Sequence, residues 1–508
     1  MTGSGPGKLS QALGILTFAV LITAVAGVAQ TPDTRWYTAA IVADHAASNF
    51  TISTADELAG LARIVNGTWR GTPWRDNFSG KTITLTSDID LSAYDNWVPI
   101  GDFSGGHNSR FSGTFNGGGH TISNLAINRP DTSNQGLFGW IISGRVENLG
   151  LNGVNINGGQ WVGGVVGRLD NSSVANSYST GTITGTGQYV GGVAGSVYAS
   201  SSVTRSYSTA SVSGREAVGG VAGYVSRSSV THSYSAGTVS GAKSGIGGIA
   251  GVVVINSRVT NSYSTAAISG RDHVGGIVGS LTNGSSVTNN AALNPQITGI
   301  RANVGRVAGY ISQTAGIILS NNAAYAEMKN SAGDIVWGHK EESRHAGASV
   351  TAAAIMLDGA IGSRFTAGNG WAIENGKLPG FGSPAETPPH LRADSAAIEA
   401  ERAEAADAAA RPGRSRSSIQ HVVSQNTGTL RDAYNNRRET NPDLNGRITV
   451  RFAIDEFGKV ISAEVVETTA GDAKLEAAVV RIVMGLEFER INKPGDVTQV
   501  TFPFVFTP

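Results

Sequence analysis

Cysteine is absent from the 508-residue chain. Its absence excludes disulfides, thiolate zinc sites and cysteine nucleophiles, and leaves stability to packing. An excess of charge is missing too: 38 Lys and Arg balance 38 Asp and Glu. A nucleic-acid partner is therefore not expected, because such proteins carry basic patches. One uncharged apolar run occurs near the N-terminus, from Ala12 to Ala29. Lys8 precedes it, and Ala24, Ala26 and Ala29 offer small-residue cleavage positions. This predicts a signal peptide over residues 1–29. The run is also near the lower length limit of a membrane-spanning helix, so an uncleaved anchor is the alternative and the one expected membrane contact.

Glycine is abundant, at 68 residues, nearly twice average usage. The chain is not low-complexity, because these glycines keep register with Val, Ile and Tyr. A signature recurs as "GLFG" ending at Gly139, "VGGVVG" at Gly167, "VGGVAG" at Gly195 and Gly223, "IGGIAG" at Gly251, "VGGIVG" at Gly279 and "VGRVAG" at Gly309. The spacing is 28 residues five times and then 30. A fixed period of this size means a solenoid whose repeats bury their apolar sides against one another. Val174, Val203, Val230, Val259 and Val287 follow the period, as do Tyr178, Tyr207, Tyr234 and Tyr263. Stacked coils turn such positions into ladders. The valines are expected inside; the tyrosines suit either the interior or a face.

Each repeat contains three short strand-like pieces, as in "WVGGVVGRL", "SSVANSYS" and "GTITG", with no helical pattern between them. This predicts a mainly β chain, a parallel β-helix-like solenoid over residues 50–382. At the inter-strand spacing of ~4.8 Å the whole body would be roughly 50 Å long. Thr54 and Glu57 form a capping-box pair, and Leu58, Leu61, Ala62 and Val65 share a helical face. A helix here would cover the first coil. Residues 383–417 read as an Ala/Glu-rich helical linker. Residues 418–508 read as a separate α+β domain in the order α-β-β-α-β.

The repeat resembles the GLUG motif of bacterial surface proteins such as adhesins. "TADELAGLA", "ITLTSDIDL", "WVPIG" and "FSGTFNGGGHTISNL" resemble that family's lead-in, and "NGWAIENGKLPGF" its ending. The resemblance implies a β-solenoid in which the repeated glycines serve packing. "NGRITVRFAIDEFGKVISAEVVETT", Phe488 and "VTFPFVF" make residues 418–508 similar to TonB C-terminal domains. That implies an envelope partner, which in TonB can add a strand to the sheet. The corresponding candidates here are Val497, Thr498, Gln499, Val500, Thr501 and Phe502, with Arg447 and Arg451 on the neighbouring strand.

Signals for chemistry are sparse. Asp88 and Asp90 share a strand face and suit calcium or glycoside hydrolysis only with a further group in reach. His339, Glu341, Glu342 and His345 do not match the zincin spacing. Arg168, Arg205, Arg215, Arg227, His232, Arg258 and Arg271 are candidates for an acidic-glycan face, and the tyrosines for sugar stacking. Solubilising charge and packing are the simpler roles for both. No cofactor, metal or catalytic residue is expected. The leading expectation is an exported envelope-binding or scaffold protein in the periplasm, outer membrane or cell surface. It would hold an envelope protein or glycan on the solenoid, and an outer-membrane or peptidoglycan partner through the TonB-like domain. The alternatives are a membrane-anchored TonB-like transducer and a polysaccharide-active β-helix enzyme.

Overall fold

The computed structural model describes residues 31–68, 75–102, 109–301, 303–312, 316–335, 337, 345–410, 415–455, 457–489, 491 and 497–506. The N-terminal apolar run lies outside them. The chain divides into two compact units, 1–391 and 392–508.

The first unit is a parallel β-solenoid. A valine sheet of ten strands runs from Asn49–Ile52 to Ile318–Ser320. Ten rungs at ~4.8 Å give roughly 43 Å from first to last. Its central ladder of Phe50, Ile83, Phe115, Val146, Val174, Val203, Val230, Val259 and Val287 is buried, as the period predicts. A corner sheet of six strands begins at Val162–Gly163, an alanine sheet of seven at Phe138–Ile142, and a fifteen-stranded tyrosine sheet completes each coil.

Each coil therefore crosses four sheets, where three strand pieces were expected. The difference lies in the glycine signature itself. "VGGVVG" supplies two strands, Val162–Gly163 and Val166–Asp170, joined by a corner at Gly164. A Cβ on Gly164 would sit 2.6 Å from the Gly192 carbonyl oxygen and 2.7 Å from the Ser179 Cβ. Only glycine lets the chain turn this tightly against its neighbour.

Buried hydroxyls run along the interior in register. The Ser172, Ser201, Ser228 and Ser257 amides each donate to the next coil's serine Oγ, at 3.0–3.2 Å. A second line runs through Ser177, Ser206, Ser233 and Ser262 and passes to Asn290 and Asn322 in the last coils. Each of these buried amides is thus satisfied by the next coil, which is what permits serine at these core positions.

Both ends of the solenoid are closed. Thr54 and Glu57 form the expected capping box on the helix Ala55–Asn66, and Leu58, Leu61, Ala62 and Val65 are buried. At the far end, Arg306 replaces the second glycine of the signature and is fully buried. Its guanidinium donates to the Tyr325 carbonyl (3.3 Å), Ser349 Oγ (3.1 Å) and the Gly347 carbonyl (2.7 Å). Burial pushes its pKa down to about 10, so it remains a cation at neutral pH. The chain then folds back. Phe365, Trp371 and Phe381 pack on the outside of the tyrosine ladder, and the compact unit runs through Leu391.

The second unit holds the helix Ser395–Ala410 and the expected α-β-β-α-β order. Its first helix is split into Arg416–Gln425 and Thr427–Arg438. The antiparallel sheet places Gly446–Ile454 between Val460–Thr468 and Thr498–Phe506. Leu475, Val479 and Val483 of the helix Ala473–Met484 pack with Ile448, Val450, Phe452 and Ile454 in one core.

Candidate functional site

A groove of about 490 Å³ crosses five successive coils along the flank of the valine sheet. Gly80, Lys81 and Thr82 line it first, then Ser112 to Thr114, Ser143 to Arg145, Asn171 to Ser173, and Ser200 with Ser202. The alternation of the valine sheet causes this: Ile83, Phe115, Val146, Val174 and Val203 point inward, so the neighbouring Thr, Arg and Ser side chains point out. Lys81 is paired with Asp76. The Arg145 Nε meets Glu147 at 2.7 Å, while the Arg145 side chain stays 53% exposed. Ser112 also lines a second cavity of about 480 Å³, with Val65, Arg75, Asp76, Asn77, Ser109, Arg110 and Ile142.

Arg110 connects this cavity to the outer face of the alanine sheet. There a guanidinium–aromatic ladder climbs one coil at a time through Arg110, Trp140, Arg168, Tyr198 and Arg227. Arg110 and Arg168 each lie 4.5 Å from the Trp140 ring centroid. Arg168 is 5.6 Å and Arg227 6.0 Å from the Tyr198 ring. Alternation keeps the guanidinium groups two coils apart, roughly 10 Å at the inter-strand spacing. Asp170 accepts from the Trp140 Nε1 at 2.8 Å and the Arg168 Nε at 3.1 Å. Beside the ladder, Trp161 stacks on Tyr189, and Tyr189 leans on Tyr224. Trp161 and Tyr189 hold left-handed backbone (φ +53° and +65°), a costly conformation for large residues.

The residues singled out in the sequence are dispersed. Of the candidate arginines, Arg168 and Arg227 enter the ladder. Arg205 and His232 occupy a left-handed corner otherwise held by asparagines such as Asn176 and Asn261. Arg271 pairs with Asp272 at 3.7 Å, and Arg258 opens a valine-sheet strand. They do not share one face. Asp88 accepts from the Thr121 amide, and Asp90 from Ser92 and Asn124. Both carboxylates brace turns, and the Asn124 and Ser92 bonds hold the Asp90 carboxyl below its usual range. His345 contacts the Ala308 and Gly309 carbonyls at 3.3 Å. His339, Glu341 and Glu342 lie outside the described residues. Among the described residues no set of three His, Asp or Glu is placed to hold a metal.

Gly139, Gly167, Gly195, Gly223, Gly251, Gly279 and Gly309 each meet backbone within 2.7 Å of where a Cβ would stand. The tyrosines stack nearly parallel at 4.5–5.0 Å, Tyr178 on Tyr207, Tyr207 on Tyr234, and Tyr234 on Tyr263. Their ring faces are used on one another, which leaves edges rather than faces for a sugar. Tyr263 is 1% exposed and donates to the Pro379 carbonyl at 2.6 Å. Tyr263→Phe is expected to cost about 1–2 kcal/mol of solenoid stability, the loss of a donor to a buried carbonyl. Urea denaturation measures it, and an unchanged midpoint would show that the returning segment does not depend on this bond.

In the second unit Thr498–Phe506 is an edge strand. It carries the candidates Thr498, Gln499, Val500, Thr501 and Phe502, with Val497 just before it. On the open sheet face Arg447 meets Glu467 at 2.9 Å and Arg451 meets Glu464 at 3.3 Å. Arg437 meets Asp472 at 2.9 Å, and the Asp472 Oδ1 also caps the Leu475 amide. The guanidinium bond first, and the cap second, hold the Asp472 carboxyl below its usual range. The unfolded chain takes up this proton near pH 4, at about the ordinary Asp value. The contribution is therefore full above that pH and lost as pH falls through the lower native value. The melting temperature of this unit is expected to drop on acidification below about pH 4. Asp472→Asn, which keeps a cap but removes the charge, is expected to flatten that dependence.

These features define a class: a parallel β-solenoid with polar interior ladders, closed ends and a lateral groove. The GLUG motif matches residues 158–184 and 214–240, two coils of this β-solenoid. Halomucin of Haloquadratum walsbyi is 37% identical over 118 residues, 22% of this chain and 1% of halomucin. An inferred Gly-rich membrane protein of Evansella cellulosilytica is 40% identical over 108 residues, 19% of this chain and 12% of that protein. The chain thus spans a small part of these relatives' length. A crystal structure of a candidate immunoglobulin A1 protease from Bacteroides ovatus aligns with a TM-score of 0.46 and 21% identity, over 66% of this chain and 92% of that one. Among the described residues no helix is long and apolar enough to cross a membrane.

Proposed function

We propose that the chain is an exported, non-catalytic binding and scaffold protein of the bacterial cell envelope, with the lateral groove as its recognition surface. The groove carries this reading: five coils contribute hydroxyls, amides and cations to one continuous concavity. Such a surface suits an extended partner better than a small substrate held for chemistry. Asp88 and Asp90, the candidate carboxylates outside it, brace turns.

The second unit supports a TonB-like docking role through its element order and its one-sided edge strand. A partner strand would pair along Val497 to Phe502, because Pro503 brings no N–H to the ladder. The paired Arg447 and Arg451 would set its charge preference.

Cell fractionation with mass spectrometry of the mature N-terminus tests export. A start near Gln30, in periplasm, outer membrane or medium, supports it. An intact N-terminus in the inner membrane would favour a transducer instead. Deleting residues 418–508 is expected to release the protein from the envelope, and unchanged association would remove the docking role.

A further inference from the structure

We infer that the groove binds an extended acidic polysaccharide lying parallel to the solenoid axis. The inference rests on the reading of the groove as the recognition surface and names its ligand class.

Shape gives the first argument. The lining residues come from five consecutive coils, so the groove is roughly 19 Å long at the inter-strand spacing. It accepts several units of a linear polymer. Lining chemistry gives the second. Thr82, Thr114, Ser173 and Ser202 stand at equivalent or adjacent outward positions, and Asn171 adds an amide. Such a row exchanges hydrogen bonds with sugar hydroxyls.

Charge gives the third argument. The chain as a whole is balanced. Among the described residues, the groove and the cavity that shares Ser112 are lined by Lys81, Arg145, Arg75 and Arg110; Asp76 pairs with Lys81 and Glu147 with Arg145, which leaves Arg75 and Arg110 as the excess. A local excess of cations on a neutral protein selects a ligand bearing spaced anions. Arg145 has one N–H committed to Glu147, and a guanidinium carries five. Uronate carboxylates fit this arrangement. Nucleic acid fits less well, because among the described residues no aromatic ring lines the groove to stack a base.

Full-length protein is tested by affinity electrophoresis and calorimetry against polygalacturonate, hyaluronan and alginate. Carboxyl-reduced polygalacturonate serves as the neutral counterpart, and single-stranded DNA as the competing polyanion. At least one acidic polymer is expected to bind, more weakly at high salt, and the reduced polymer to bind at least tenfold less tightly. Arg145→Gln, a change at an exposed side chain, is expected to weaken binding roughly tenfold. Ser173→Trp fills the groove without changing charge and is expected to abolish binding. Should that variant not fold, Arg145→Gln carries the test.

Failure of the wild type to bind all three acidic polymers would overturn the inference. So would equal binding of the reduced polymer, equal binding of DNA, or binding indifferent to both substitutions. Envelope binding that still depends on Ser173 would then leave the groove as the recognition surface and reject only its ligand class.

Discussion

Gly220→Ala is expected to cost the solenoid about 3 kcal/mol or more and to broaden or abolish its cooperative unfolding. A Cβ there would stand 2.1 Å from the Gly248 carbonyl oxygen and 2.6 Å from the Ser235 Cβ. The obstacle is the backbone of the next coil, which no rotamer change relieves. Gly192, Gly248 and Gly276 make the same approach, each within 2.1 Å of the following coil's carbonyl. A shift at one rung therefore passes to its neighbours, since each coil rests only on the adjacent ones. Gly368→Ala is the matched control. Its nearest neighbour is 3.9 Å away, and its stability should stay within about 0.5 kcal/mol. Urea denaturation followed by circular dichroism compares the two. Equal stability would mean that the glycines are not packing positions.

Arg306→Ala is expected to unravel the last coils at a cost of about 4 kcal/mol. The substitution empties the space of the largest fully buried side chain. It also strands the Gly347 carbonyl and takes one of two donors from the Tyr325 carbonyl, which keeps the Met328 amide. Arg306→Lys keeps a cation but not the fork, and should recover only part of the loss. Hydrogen exchange over residues 304–350 should rise in both variants while residues 162–250 stay protected. Uniform loss of protection would show that the arginine supports the whole body rather than its end.

Much of the solenoid was legible in the sequence because stacking forces equivalent residues into a period. The recurring glycines, the valine ladder and the Thr54–Glu57 box could all be read from spacing alone. The fourth sheet could not. Its corner lies inside "VGG", where a bend and a continuous strand share the same apolar letters. In the second unit the break at Asn426 was hidden because helical periodicity continues across it.

The groove was less legible. Gly80, Ser112, Ser143, Asn171 and Ser200 are small or polar residues at uneven spacings of 32, 31, 28 and 29, and only coil stacking gathers them. The guanidinium–aromatic ladder left a trace that a search for identical residues misses. Arg110, Trp140, Arg168, Tyr198 and Arg227 alternate in kind at intervals of 30, 28, 30 and 29. Pairing cations with aromatics one coil apart would have found it.

The recognition role of the lateral groove is tested most directly by measuring binding of purified full-length protein to isolated cell envelopes, wild type against Ser173→Trp. Folding of both is verified first. Saturable binding by the wild type, and its loss in the groove-filled variant, are expected. Equal binding by the two proteins would contradict this role and move recognition elsewhere on the chain.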